Sequence, residues 1–214
     1  MPFRVSMVVA LTCTLCCAAW AHAGQFNLLL NIGDEAPAWK DLDGTDGKKH
    51  SYADVSSAKF VVVAFTCNSC PYAVDVEQRL IALSDKAMEL GGVLVAINVN
   101  TIEEDALPAM QEKSKTQKFN FAYLYDPTQE IAKAFGAKTT PEFYVLDTNR
   151  RITYMGSLDD SPDGRAVTKR YVETAIGDLL SNNTPAVSET IPIGCRIRFA
   201  RPVRQRKARA SEKG

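Results

Sequence analysis

The sequence predicts an α/β domain around a mixed central sheet, and three observations predict it. Two continuous apolar runs, KFVVVAF at 59–65 and VLVAINVN at 93–100, lack the polar alternation of a half-exposed strand and suit strands covered on both faces. Segments of helical periodicity fall between the extended ones, so strand and helix alternate along the chain. A late pair, EFYVLD at 142–147 and ITYMGS at 152–157, flanks TNRR and reads as an antiparallel hairpin. A length of 214 residues, a hydrophobic share of 46% and the lack of repeats or low-complexity tracts suit one such domain with appended segments.

The elements follow in order. Residues 1–23 carry Arg4, an apolar run over 5–19 and AHA ahead of Gly24, the pattern of a secretory signal cleaved near Ala23. The run is shorter than the ~20 residues of a membrane span. The domain proper is expected over 24–181. DLDGTDGKKH at 41–50 has hairpin turn chemistry, and 59–65 is the first central strand. Val76, Leu80, Leu83, Ala87 and Leu90 then recur at helical spacing, with Pro71 in the first turn and Gly91-Gly92 as the stop. After the strand at 93–100, DALPAMQEKSKTQKF predicts a helix opened by Asp105. FAYLYD is a short strand, and PTQEIAKAFGA is a helix ended by Gly136. GRAVTKRYVETAIGDLL, at 164–180, closes the domain as an amphipathic helix. Residues 182–195 read as a linker with a cysteine-bearing extension, and 196–214 as a disordered basic tail.

Charge separates these segments. The tail holds eight basic residues against Glu212, whereas 24–195 holds sixteen basic against twenty-four acidic. The tail is expected to be solvated; contact with anionic lipid is the less favoured alternative, and export argues against nucleic acid.

Export also changes what the cysteines mean. Cys13, Cys16 and Cys17 leave with the leader, so the mature chain keeps Cys67, Cys70 and Cys195 in a periplasmic or secreted setting where disulfides persist. Cys67 and Cys70 stand two residues apart between a buried strand and a helix. A disulfide closing so small a ring stabilises little. Zinc needs about four ligands, which the pair lacks. Copper(I) held by Cys67, Cys70 and a third group such as His50 or Cys195 stays open chemically. Asp34, Asp41, Asp43 and Asp46 lack the spacing of a calcium loop. Disulfide exchange uses the pair most fully: unpaired N–H groups at the helix start are expected to hold Cys67 as thiolate, with Cys70 one turn further in to resolve the bond.

KTTPEFYVLD, from 138, puts Pro141 directly before a strand, where an X-Pro bond can be held cis. Strand, CxxC, helix and a later Thr-Pro before a hairpin together resemble the thioredoxin superfamily. IGDEAPAW and TTPEFYVLD resemble its exported TlpA-like and AhpC/TSA-type redoxins, over roughly residues 31–180. The resemblance implies that Cys67 attacks, Cys70 resolves, a cis Pro141 lies against the pair and shapes substrate docking, and Glu142 assists proton transfer. It implies no cofactor beyond the redox-active disulfide. The expected partners are protein thiols or disulfides and an electron donor or acceptor. Thr66 replaces the tryptophan typical before the first cysteine, and Asn68-Ser69 fills the pair. A peroxide-reducing member of the peroxiredoxin type would show a PxxxTxxC frame, but Phe60 and Ala64 stand where proline and threonine belong. Cys195, in PIGCRIRF, is an accessory thiol with three readings: inert and partly buried, a redox partner for the pair, or an intermolecular link.

Overall fold

The computed structural model describes residues 24–200. In chain order its strands are β1 (Leu42–Gly44), β2 (Lys49–His50), β3 (Val61–Thr66), β4 (Val93–Asn98), β5 (Ala122–Tyr125), β6 (Thr139–Thr140), β7 (Glu142–Leu146), β8 (Ile152–Gly156) and β9 (Cys195–Arg196). The helices are α1 (Pro71–Glu89) after β3, α2 (Leu107–Gln117) after β4, α3 (Glu130–Phe135) after β5 and α4 (Tyr171–Leu180) after β8. Seven strands form one mixed sheet in the order β2-β1-β5-β4-β3-β7-β8. β3, β4 and β5 run parallel, while β1 and β7 add antiparallel to their outer sides. β6 and β9 pair separately as a short antiparallel ladder.

The unalternating runs are explained by apolar layers on both faces. Val61, Val63 and Phe65 of β3 join a cluster with Trp39, Phe135 and Tyr144. Val62 and Ala64 point the other way, into a cluster with Val76, Leu80 and Leu83 of α1 and Val172 and Ile176 of α4. All of β3 is buried, so its C-terminal end, where Cys67 begins, is fixed by packing on two sides. Gly91 stops α1 at φ +82°, a left-handed conformation that disfavours a side chain.

Three expectations change. α4 begins at Tyr171, so residues 164–170 are loop. Asp160 takes the N–H groups of Thr168 and Lys169 at 2.8 and 2.9 Å, which holds that stretch in a turn instead of a helix. α2 begins at Leu107, and Asp105 does not open it. Finally, residues 182–200 pack back on the domain. Thr190 Oγ1 meets Tyr154 Oη at 2.7 Å and accepts the Ser157 N–H at 2.9 Å. The Ile197 N–H donates to Lys138 O at 2.9 Å, and Gln129 takes up both the Arg198 carbonyl and the Ala200 N–H. The start of the basic tail is therefore ordered through residue 200. The leader at 1–23 and residues 201–214 lie outside the described residues. No helix among the described residues is long and apolar enough to cross a membrane.

Candidate active site

Cys67 leaves β3 and Cys70 is the N-cap of α1, with φ −83° and ψ 122°. Pro71 dictates this boundary. It lacks an N–H and suits the first helical position, and it biases the residue before it toward an extended backbone. The expectation that Cys67 occupies the first helical turn is therefore corrected: Cys67 sits in the connecting turn, and Cys70 takes the helix start. Both are free thiols, 2% and 3% exposed, and pack together with Ala73.

The turn between them is held by a carboxylate from elsewhere. Asp105 is fully buried, and its Oδ1 accepts the N–H groups of Asn68 at 2.6 Å and Ser69 at 2.9 Å. Its Oδ2 accepts the Ser69 hydroxyl at 2.6 Å and Asn100 Nδ2 at 3.1 Å. The Asn68 and Ser69 N–H groups are thus spent on Asp105, which leaves the Cys70 N–H as the backbone donor facing Cys67. Asn68 is pinned besides, giving Nδ2 to Glu104 O at 2.9 Å and taking the Tyr123 hydroxyl at 3.0 Å.

The other wall is the β6–β7 junction. The Thr140–Pro141 peptide is cis. Thr140 Oγ1 lies 3.4 Å from Cys67 Sγ, and Cys70 Sγ donates to Thr140 O at 3.0 Å. Glu142 hydrogen-bonds away from the sulfurs. Its Oε2 accepts the N–H groups of Lys138 and Thr139 at 2.9 and 3.1 Å, and its Oε1 takes the Tyr144 hydroxyl at 2.8 Å. Alternation along β7 places it on the Tyr144 face, opposite α1. It braces the loop that carries Thr140.

Charge is divided unequally between the sulfurs. Cys67 is pushed up by its hydrogen bonding with Cys70, by burial and by the nearby Asp105 charge. Cys70 is lowered to about 4, chiefly by the Cys67 thiol, against burial, with help from Cys195. The Ala73 N–H faces it at the helix start, short of a full capping bond. The Thr140 carbonyl opposes a charge on Cys70, since it accepts that thiol's proton. The donors around Cys70 and the positive end of α1 outweigh it. Of the two sulfurs, Cys70 is the one whose surroundings favour the thiolate, and Cys67 the one they hold protonated.

Cys195 joins this site across more than a hundred residues of sequence. β9 pairs with β6 in the register Thr140↔Cys195, which sets its side chain against the pair. Sequence reasoning left this placement open, and it gave neither Asp105 nor Thr140 a place at the site. The Thr-Pro dipeptide was the one available signal for Thr140. His50 lies on β2, four strands from β3, roughly 19 Å at ~4.8 Å per strand, and pairs with Asp46 at 3.0 Å. It cannot join the cysteines. Among the described residues no group of three or more His, Cys, Asp or Glu side chains is arranged to hold a metal ion.

Residues 32–155 match the model of the AhpC/TSA family. The chain belongs to the AhpC/TSA family. Its fold is thioredoxin-like, and oxidoreductase activity in general follows from this membership. A hypothetical protein from Sinorhizobium meliloti is similar at 29% identity and TM-score 0.76, over 81% of this chain and 97% of its own. An uncharacterized conserved protein from Geobacillus kaustophilus is similar at 34% identity and TM-score 0.76, over 82% and 96%. A thiol:disulfide interchange protein of the thioredoxin family from Chlorobium tepidum, at 19% identity and TM-score 0.55 over 71% and 99%, shares the fold. No curated protein sequence matches the chain.

Proposed function

We propose that this AhpC/TSA-family protein exchanges disulfides with protein partners through Cys67 and Cys70. The observation that carries the reading is geometric: two free sulfurs packed together at the start of α1, both against Thr140, with Cys70 lowered and Cys67 raised. A thiolate is the attacking species in exchange, and its neighbour must lie close enough to displace the partner. When one sulfur attacks a partner disulfide, a mixed disulfide forms and one partner thiolate leaves. The second sulfur then closes the Cys67–Cys70 bond and frees the other partner thiolate. The partner gains two electrons and the pair loses two. The reverse sequence oxidises a partner dithiol.

A peroxidase reading lacks comparable support, since the positions of its proline and threonine hold Phe60 and Ala64, both buried within the sheet layers. The leader sequence supports export, after cleavage near Ala23, to a periplasmic or secreted setting; the amino terminus of protein recovered from an expressing cell tests this. Cys70→Ser is expected to abolish turnover with a model dithiol–disulfide pair, and a mixed disulfide accumulates on Cys67. Full turnover by this variant would overturn the reading. So would oxidation of the pair by hydrogen peroxide far faster than by any disulfide.

A further inference from the structure

In the reduced form the pair that must meet a partner is covered. Cys67 and Cys70 are 2% and 3% exposed, whereas Cys195 is only partly buried. Cys195 sits on β9, which pairs with β6 directly opposite Thr140, the residue both pair sulfurs contact. Cys195 packs against the pair, near enough to Cys70 to bear on that sulfur's charge. Cys70, Cys195 and Arg196 open on a common cleft of about 180 Å³ with Ser69 and Asn100, and Cys67 does not line it. The approach of β9 is specific. A Cβ on Gly194 would fall 2.2 Å from Thr140 O, so only glycine lets the two strands come so near. The sulfurs thus line up by burial: Cys67 inside, Cys70 between, Cys195 at the rim.

We propose that Cys195 is a third redox cysteine, which carries the disulfide between the buried pair and partners at the surface. This rests on the exchange reading above. In the oxidised protein, a Cys195 thiolate attacks Cys70 Sγ. The Cys70–Cys195 bond forms, the Cys67–Cys70 bond breaks, and the electron pair leaves on Cys67, which takes up the proton that Cys195 gave to solvent. No electrons are gained or lost in this transfer. A partner thiolate then attacks Cys195 Sγ and releases Cys70 as thiolate, the form its surroundings favour. A second partner thiolate closes the partner's disulfide and frees Cys195. Two partner thiols lose two electrons and the protein gains them. The reverse order reduces a partner disulfide.

In the reduced protein Cys195 is pushed up to about 11 by burial and by the Cys70 sulfur beside it. Oxidation of the pair removes the Cys70 charge, and that part of the restraint goes with it. Cys195 becomes the better nucleophile when the transfer calls for one.

The test uses the full chain and glutathione as the probe, with disulfides mapped by mass spectrometry after acid quenching. Treated with oxidised glutathione, wild type is expected to form Cys67–Cys70, and Cys67→Ser to form an internal Cys70–Cys195 bond in most molecules, because an intramolecular thiol competes at an effective concentration of about millimolar or more. Reduced glutathione is expected to reduce oxidised wild type on the order of tenfold faster than oxidised Cys195→Ser, since only the former offers an outer sulfur. Gly194→Ala, which displaces the strand and alters no sulfur, should lose the same advantage. If wild type forms Cys67–Cys70 normally but Cys67→Ser gives only a glutathione adduct, the relay is overturned and the exchange reading stands. Equal or faster reduction of Cys195→Ser would make β9 a mere cover and also overturn it. A wild type that never forms Cys67–Cys70 would sink the exchange reading, and the relay with it.

Discussion

Two buried carboxylates, Asp105 and Glu142, do the same structural work on opposite walls of the cysteine site. Each takes two successive backbone N–H groups through one oxygen: Asp105 holds the turn at Asn68 and Ser69, and Glu142 holds Lys138 and Thr139 ahead of the Thr140–Pro141 peptide. They differ in what their charge reaches. Asp105 faces the cysteine turn and disfavours a thiolate on Cys67. Glu142 lies on the far face of β7 and is spent on its loop and on Tyr144. The resemblance pointed to Glu142, but the carboxylate that bears on the pair's charge is Asp105, from the loop after β4.

The largest way to break the comparison is Asp105→Ala. It takes the acceptor from the Asn68 and Ser69 N–H groups, the Ser69 hydroxyl and the buried Asn100 amide, an expected loss of roughly 3 kcal/mol, or about 6–12 °C in Tm for a domain of this size. Exchange should fall on the order of tenfold as the turn loses its place. Calorimetry and a disulfide exchange assay read the two effects. A stable, active variant would remove Asp105 from the account.

Asp105→Asn sharpens the contrast, because it keeps an acceptor oxygen and removes the charge. The Cys67 thiol should then ionise at lower pH, since a nearby negative charge disfavours its thiolate. The ultraviolet absorbance of the second thiolate is the readout, and an unchanged or higher midpoint contradicts the assignment.

The smallest effect belongs to Glu142→Gln. Loss of about 1 kcal/mol in stability is expected from weakened bonds to the β6 loop. Exchange should stay within about twofold of wild type. Loss of turnover as severe as in a cysteine variant would return Glu142 to the chemistry.

The pH dependence of stability separates the two sulfurs. Cys70 ionises at about 4 in the folded reduced protein and at ~8.5 in the unfolded chain, so its depressed pKa contributes stability that is fully present above ~8.5 and is lost as pH falls through about 4. Cys67 is raised, so its contribution has the opposite sign: present below ~8.5 and lost as pH rises beyond it. Denaturant midpoints of reduced wild type and Cys70→Ser should therefore converge toward pH 4. A gap that widens as pH falls would contradict the placement of the charge.

How much of this was legible in the sequence depended on distance along the chain. The strand 61–66, the helix after it and the Thr140–Pro141 junction were readable, because burial on both faces, helical spacing and proline chemistry are written in neighbouring residues. Asp105 was read as a helix opener, since an acidic residue before an Leu-Pro start has that local meaning. Its real partners lie 36 and 37 residues earlier, and no local pattern records them. Residues 164–170 carry helical composition, but Asp160 holds them as loop from outside the periodic window. Cys195 was visible as an odd thiol, yet its pairing with Thr140 depends on the whole sheet having formed between them.

The central claim is that Cys67 and Cys70 form a reversible couple whose reduced state carries one negative charge. Equilibrating Cys195→Ser, which isolates the pair, against glutathione buffers across pH 5 to about 8 tests it most directly. A two-electron couple that takes up one proton should show a potential falling by about 30 mV per pH unit. A slope of about 59 mV would mean that both sulfurs are protonated, and failure to form a reversible Cys67–Cys70 bond at any pH would contradict the account as a whole.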